Sequence, residues 1–280
     1  MNREGIQMSK FSGILICTDL DGTLLREDGT ISAENLNAID YFKQEGGTFT
    51  FVTGRMPFFV SNIYNTMRPN APFGCINGGG LYDHTKQEYI RKSVMPDGVF
   101  DLIQCIDEKF PDIGIQVNTF YKIYFCKENE TMKYFRQITK MPNLTCRYDE
   151  VTEPIAKIVF GSECNEEILQ IKETLLAHPL AERFDFIRSE KTFFEILPKG
   201  IGKGTAIQSL TQHLNLDIRK TIAIGDYDND ISMFHAAEIG IAVSNASQEA
   251  LAAADYVTVS NEENAVAQVI YDLRDGKYVL

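Results

Sequence analysis

A chain of 280 residues, 44% of them hydrophobic, can form one large domain or two ordinary ones with a sizeable core. The net charge of −12, from 27 basic and 39 acidic residues, argues against nucleic acid or an anionic membrane as a partner, although a small anionic ligand stays possible. No apolar run approaches the ~20 residues of a membrane span, and residues 1–10 lack an apolar signal segment, so they are predicted to be a frayed tail. The six dispersed cysteines form no CxxC pair, which favours reduced thiols and predicts a cytoplasmic location.

Strands and helices are predicted to alternate through the first third of the chain. Short apolar runs rich in β-formers predict strands over 13–19 ("GILICTD"), 48–54 ("TFTFVTG") and 73–78 ("FGCING"). Ser32 is the expected N-cap of an intervening helix, and Pro57 is expected to open a second one. This order predicts parallel strands joined by right-handed crossovers.

The middle of the chain has a different pattern, in which helices are interleaved with paired strands. The predicted elements are a helix over 97–110, a hairpin over 113–125, helices over 128–138 and 166–176, and strands over 156–161, 183–187 and 192–197. We predict an α+β cap domain over 85–192, inserted into a core formed by residues 1–84 and 193–280.

The last third returns to the pattern of the first. Helices are predicted over 203–214, 230–240, 248–254 and 264–273, and strands over 221–226, 241–243 and 256–259. The predicted fold class is therefore α/β, a doubly wound, Rossmann-like parallel sheet with an inserted cap.

Polar residues follow the predicted core strands, and the carboxyl ends of such strands form the binding edge of an open parallel sheet. These residues are Asp19 and Asp21, then Thr53, Gly54 and Arg55, then Lys203 at a helix start, then Asp226, Asp228, Asn229 and Asp230. Carboxylates brought together here would resist ionisation unless a cation held them, and Mg²⁺ prefers oxygen ligands beside a substrate phosphate. Lys203 and the Thr53 hydroxyl are suited to phosphoryl oxygens.

The segments "DLDGTLL", "VTGR", "GIGKGTA" and "GDYDNDISM", in this order, resemble the four motifs of the haloacid dehalogenase superfamily, and within it the Cof-type, sugar-phosphatase-like branch. The resemblance implies an Mg²⁺-dependent phosphatase that forms an aspartyl-phosphate. It makes Asp19 the nucleophile and Asp21 the general acid and base, the latter expected in a dry pocket under the cap. The other implied roles are phosphate binding by Thr53, Gly54, Lys203 and Asn229, metal binding by Asp19, the Asp21 carbonyl and Asp226, and a supporting role for Asp230.

Several alternatives stay open. A phosphomutase would have a similar architecture. A phospho-accepting receiver also uses an Asp, a Thr and a Lys on a doubly wound sheet, although Asp21 and the insert are difficult to explain in a receiver. The expected substrate is a small phosphorylated metabolite, with a sugar phosphate favoured, and the protein is expected to be a monomer or homodimer. Asp228 is interpreted as a solvated loop residue. Arg55 could reach a substrate anion or pair with an acidic neighbour, and the pairing is favoured. Asn77 is interpreted as part of a flexible exit towards the cap, and whether it also contacts substrate stays open.

Overall fold

A computed structural model describes residues 9–214 and 218–278, without the Leu214 side chain; the predicted tail falls partly on residues 1–8, outside this range. The strands are β1 Ile14–Thr18, β2 Thr48–Phe51, β3 Phe73–Cys75, β4 Gly80–Asp83, β5 Glu88–Lys92, β6 Gly114–Thr119, β7 Ile123–Lys127, β8 Ile155–Gly161, β9 Phe184–Glu190, β10 Phe193–Pro198, β11 Lys220–Gly225, β12 Ile239–Ala242 and β13 Tyr256–Val257. The helices are α1 Ala33–Gln44, α2 Ser61–Met67, α3 Val99–Lys109, α4 Glu130–Ile138, α5 Asn165–Leu176, α6 Lys203–Leu214, α7 Ile231–Ala236, α8 Gln248–Ala253 and α9 Ala265–Arg274. Within these ranges no helix is long and apolar enough to cross a membrane.

The core is a doubly wound parallel sheet with the strand order β13-β12-β11-β1-β2. Every residue of β1 is buried, since Ile16 packs in the cluster formed with α1 and α9 while Leu15 and Cys17 pack in the cluster formed with α6 and α7. Helices on both faces explain why the strand is a continuous apolar run. The predicted fold class is confirmed.

The chain enters this sheet twice. It runs through β1 and β2, leaves for the insert, and returns through α6 to place β11 on the other side of β1. Thr18 is level with both Phe51 of β2 and Ile224 of β11, so these three strands end at the same height. The position between strands that lead to opposite sides of the sheet is where ligands bind in such folds.

A second, antiparallel sheet has the order β7-β6-β8-β10-β9, and α3 and α5 cover one of its faces with the apolar cluster around Leu102, Ile158 and Ile171. We call it the cap sheet. The predicted division at residues 84 and 193 stays a prediction, and the pairing adds that β10 belongs to the cap sheet while β5 pairs with β4 in a separate three-stranded sheet, β3-β4-β5.

Some local predictions need correction. The strand predicted over 73–78 ends at Cys75, because the next three residues, Ile76, Asn77 and Gly78, have positive φ values of 55°, 50° and 88°, outside the β region. Pro57 begins a short 3₁₀ turn, and α2 starts only at Ser61. The N-cap prediction is confirmed, since the Ser32 side chain accepts a hydrogen bond from the Asn35 N–H (3.0 Å).

Candidate active site

Asp19 stands at the carboxyl end of β1. Its backbone N–H donates to the Ile224 carbonyl (2.8 Å), which continues the ladder with β11, and the residue is only 5% exposed. Lys203, the first residue of α6, is buried beside it. Its Nζ donates to Asp19 Oδ1 (2.7 Å) and to Asp230 Oδ1 (2.5 Å). Lys203, which follows the insert in the chain, is thus hydrogen-bonded to Asp19, which precedes it.

Asp226 and Asp230 complete an acidic cluster with Asp19, in which one carboxylate oxygen of each lies within 4.8 Å of the others. Asp230 has both oxygens engaged, since Oδ2 accepts from the backbone N–H groups of Asp226 (3.0 Å) and Tyr227 (3.1 Å). Asp226 accepts only the Thr23 hydroxyl at Oδ1 (2.9 Å) among the described residues. Asp19 and Asp226 therefore keep oxygens for a ligand, whereas Asp230 orients the loop and Lys203.

Two glycines allow this cluster to be so compact. Gly22, in the segment "DLDGT", has φ +76°, and a Cβ there would lie 2.5 Å from Asp226 Oδ2. A Cβ on Gly225 would lie 2.5 Å from Asp230 Cγ. Both are distances that no real Cβ contact shows, so side chains at these positions would push the carboxylates apart.

The cluster holds more negative than positive charge, and its pKa values reflect this. Burial, reinforced by the neighbouring carboxylates and only partly offset by Lys203, raises the pKa of Asp19 well above its usual range. Burial and Asp230 raise the pKa of Asp226 to about 7. Burial alone would lower the pKa of Lys203, but Asp19 and Asp230 outweigh it and raise it. An oxygen donor set with uncompensated negative charge fits a hard divalent cation.

The environment of Asp21 differs from the dry pocket under the cap that the sequence predicted. Its side chain is 51% exposed, and both of its carboxylate oxygens accept hydrogen bonds from Arg55, at 2.8 Å from Nε and 2.5 Å from Nη2. The prediction that Arg55 pairs with an acidic neighbour is confirmed. The prediction of a dry environment for Asp21 is wrong in this structure, because the residue turns outward where the chain leaves the sheet.

The loop after β2 lies against the turn after β3. Thr53 is buried, its Oγ1 accepts the Arg55 N–H (3.2 Å), and its carbonyl accepts the Asn77 N–H (3.0 Å). The Asn77 side-chain carbonyl accepts from Asn229 Nδ2 (3.1 Å), and a Cβ on Gly54 would lie 3.0 Å from that same oxygen. Thr53, Gly54 and Asn229 are therefore brought together through Asn77, which the sequence left undecided.

Asp228 is not the solvated loop residue that was expected. It begins a 3₁₀ turn, Asp228–Asp230, is half-buried, and accepts a hydrogen bond from the Ser247 hydroxyl (2.8 Å). Its contact anchors the turn to the start of α8, away from the cluster.

Three charged residues of the cap sheet reach the same region, and sequence reasoning missed them. Lys157 and Glu195 are 6% and 3% exposed, and Lys157 donates to the Gly54 carbonyl (3.2 Å). Glu190 lies at the end of β9. Partial desolvation of its carboxylate and the nearby charges of Asp21 and Glu195 raise its pKa to about 7. The sequence did carry a signal for two of them, because Lys157 and Glu195 are charged residues within the apolar runs "AKIVFG" and "TFFEIL".

The chain is similar to known proteins over most of its length. The family model of the haloacid dehalogenase-like hydrolases matches residues 16–270 of this chain. The 5-amino-6-(5-phospho-D-ribitylamino)uracil phosphatase YwtE of Bacillus subtilis is 30% identical, over 94% of this chain and 99% of the relative. The putative phosphatase YxeH of the same species is 28% identical, over 92% and 97% of the two chains.

Solved structures show the same fold. A haloacid dehalogenase-like hydrolase from Bacteroides thetaiotaomicron has a TM-score of 0.77 at 25% identity and covers 94% of this chain and 99% of its own. A sugar phosphatase of haloacid dehalogenase subclass IIB has a TM-score of 0.82 at 22% identity, over 93% and 98% of the two chains.

The chain belongs to the haloacid dehalogenase-like hydrolase family, so the resemblance seen in its four motifs is confirmed. It is an enzyme of the phosphatase class.

Proposed function

We propose that this enzyme is an Mg²⁺-dependent phosphomonoesterase that hydrolyses small phosphorylated metabolites, with sugar or sugar-alcohol phosphates favoured, through an aspartyl-phosphate. The observation that carries the proposal is the position of Asp19. It is buried at the sheet edge, paired with the Lys203 ammonium, and belongs to a carboxylate cluster with excess negative charge. A phosphoryl group that arrived there would meet a nucleophile and a fixed cation together.

The proposed metal ligands are the side chains of Asp19 and Asp226 and the backbone carbonyl of Asp21. Asp230 supports them, because its oxygens are already engaged with Lys203 and with backbone N–H groups. When bound, Mg²⁺ would supply Lewis-acid neutralisation of the phosphoryl oxygens and keep Asp19 ionised.

In the first half of the proposed reaction the Asp19 carboxylate attacks phosphorus, and the bond from phosphorus to the leaving oxygen breaks. Lys203, the Thr53 hydroxyl and N–H groups of the Gly54 and Asn229 loops hold the phosphoryl oxygens. Asp21 gives its proton to the leaving oxygen, which requires the contact with Arg55 to open. The products are the free alcohol and a phosphoryl group on Asp19.

In the second half, water attacks that phosphorus and gives a proton to Asp21. The bond between phosphorus and Asp19 breaks, so inorganic phosphate leaves and both aspartates return to their starting states. Positioned acid–base catalysis of this kind contributes roughly 10²–10⁴-fold in rate.

The substrate class is carried over from the relative YwtE, whose name specifies a phosphate on a ribitylamino group. The exposed Glu190 carboxylate, near Asp21, also suits a phosphorylated polyol, because a carboxylate accepts hydrogen bonds from hydroxyl groups.

The test is free-phosphate release from a panel of sugar phosphates, sugar-alcohol phosphates, nucleotides, flavin phosphates and pyridoxal phosphate, with Mg²⁺ and with chelator. We expect release that needs the metal. The Asp21→Asn variant should lose roughly 10²–10⁴-fold with alkyl phosphates and less with p-nitrophenyl phosphate, whose leaving group needs little protonation. Asp149→Asn, at an exposed cap position paired with Arg147, is the matched control and should be unchanged.

The same experiment separates the alternatives. An isomerised sugar phosphate without free phosphate would point to a phosphomutase, and a stable aspartyl-phosphate without turnover to a receiver. Metal-independent release would contradict the proposal. The cytoplasmic location and the monomer or homodimer state stay predictions.

A further inference from the structure

Lys157 and Glu195 form a buried ion pair on the face of the cap sheet opposite α3 and α5. Their strands, β8 and β10, are neighbours, and Lys157 Nζ donates to Glu195 Oε1 (2.9 Å). Burying two charges costs free energy that their mutual attraction often fails to recover. A stabilising role alone is therefore a weak explanation of this pair.

Each member of the pair has a second partner outside the cap sheet. Lys157 Nζ donates to the Gly54 carbonyl (3.2 Å), and Glu195 Oε2 accepts from Asn77 Nδ2 (2.8 Å). Asn77 in turn accepts from Asn229 Nδ2 (3.1 Å). One arm of the network reaches the loop after β2, and the other reaches the turn after β11.

The Gly54 arm acts on Thr53 through a rigid unit. The peptide between Gly54 and Arg55 is planar, so fixing the Gly54 carbonyl also fixes the direction of the Arg55 N–H. That N–H donates to Thr53 Oγ1 (3.2 Å). A hydroxyl that accepts in this direction has its own proton left to donate, and within the described chain no acceptor for that proton is found.

We infer that Lys157 and Glu195 are positioning residues of the phosphate site, which fix the peptide after Gly54 and thereby aim the Thr53 hydroxyl proton at the phosphoryl group. The inference rests on the proposed function, since it needs a phosphoryl group at Thr53. In this role the cap sheet helps to assemble the phosphate site, independently of any contact between the cap and the leaving group. Asn77 carries the second arm to Asn229.

The test is a double-mutant cycle between Lys157 and Thr53. Two quantities are measured in Mg²⁺ buffer: the affinity for inorganic phosphate by calorimetry, and kcat and KM for p-nitrophenyl phosphate. Losing one preorganised donor costs about 10²–10³-fold in kcat, so we expect Thr53→Val to fall in that range and Lys157→Met to lose roughly 10- to 100-fold. In the Thr53→Val background, Lys157→Met should cost less than about twofold more, because its effect acts through the missing hydroxyl.

Two further variants keep the result interpretable. Lys157→Met leaves Glu195 unpaired, so the double variant Lys157→Met/Glu195→Gln, which removes both charges, is measured too and should show the same loss. Lys127→Met removes a cap lysine that pairs with Asp107 and makes no contact with Gly54, and it should change nothing.

Equal losses from Lys157→Met with and without the Thr53 hydroxyl would overturn the inference, and so would no loss at all. If the wild-type protein hydrolyses no phosphate ester but binds phosphate, the proposed function fails while the calorimetric cycle still decides the positioning role. Absence of phosphate binding by the wild-type protein would overturn both.

Discussion

Lys203 at the edge of the parallel sheet and Lys157 in the cap sheet are both buried, and their surroundings differ in charge balance. Lys203 faces Asp19 and Asp230 with Asp226 in the same cluster, so three carboxylates share one ammonium. Lys157 forms an ion pair with Glu195, its one ion-pair partner among the described residues, and its ammonium also donates to the neutral carbonyl of Gly54. The cluster carries excess negative charge, whereas the pair is neutral.

This difference separates a site that binds from a contact that positions. Burial, reinforced by the neighbouring carboxylates, raises the pKa values of Asp19 and Asp226 and so disfavours their ionisation, and a bound cation would favour the ionised forms. Functional sites commonly hold such locally unfavourable arrangements, which the rest of the fold supports. The neutral pair gains nothing from a cation, so the two regions should respond to metal and to mutation in opposite ways.

Asp19→Asn is expected to show the largest effect and the clearest contrast. Turnover should fall about 10⁴-fold or more, because the nucleophile is gone. In Mg²⁺-free buffer at neutral pH the free energy of unfolding should rise, because one buried carboxylate that is repelled by its neighbours becomes neutral. Glu195→Gln, the matched change in the cap, should lower it. Urea denaturation measures both, and a shift of the same sign in the two variants would refute the contrast.

Lys203→Met should lower the free energy of unfolding by about 3–5 kcal/mol, since it leaves buried carboxylates without their cation. Lys127→Met, which breaks a more exposed ion pair, should cost about 1 kcal/mol or less. Chemical denaturation in chelator provides the comparison. Equal losses in the two variants would mean that the cluster does not depend on its lysine.

Mg²⁺ should stabilise the protein through the cluster alone. At a concentration 100-fold above its Kd, a ligand that binds only the folded state adds about 2.7 kcal/mol. Thermal unfolding with Mg²⁺ and with chelator should show the increase in the wild type and in Glu195→Gln, and no increase in Asp226→Asn. Persistence of the shift in Asp226→Asn would place the cation elsewhere.

Glu190, which is affected by charges of both regions, should give the smallest effect. Partial desolvation and the charges of Asp21 and Glu195 raise the pKa of Glu190 from 4.5 to about 7 in the folded state, so ionisation of Glu190 disfavours folding. The penalty is absent below about pH 4.5, grows as the pH rises to about 7, and is constant above that. Glu190→Gln should therefore be more stable than the wild type at pH 8, by about 1 kcal/mol after solvent screening, and equal to it at pH 4.5. Equal stability at both values would contradict the assignment.

The residues of the acidic cluster could be predicted because each follows a strand with a strong local signal. Asp19 and Asp226 end runs that are buried on both faces, and parallel strands of matched length end at one edge. Lys203 opens a clearly amphipathic helix. The half-exposed strand β5 was missed, because its sequence "EYIRK" has no apolar run and it forms only by pairing with β4.

The sequence by itself determined the alternation of strands and helices, the edge at which the motifs meet, and the family, because these follow from local pattern and from residue types in order. Only the tertiary structure decided that Asp21 pairs with Arg55, that Asn77 joins two loops, and that Lys157 reaches Gly54 from 103 positions away. Such contacts join side chains far apart in the chain. Their geometry depends on how the two sheets are placed, which no local periodicity encodes.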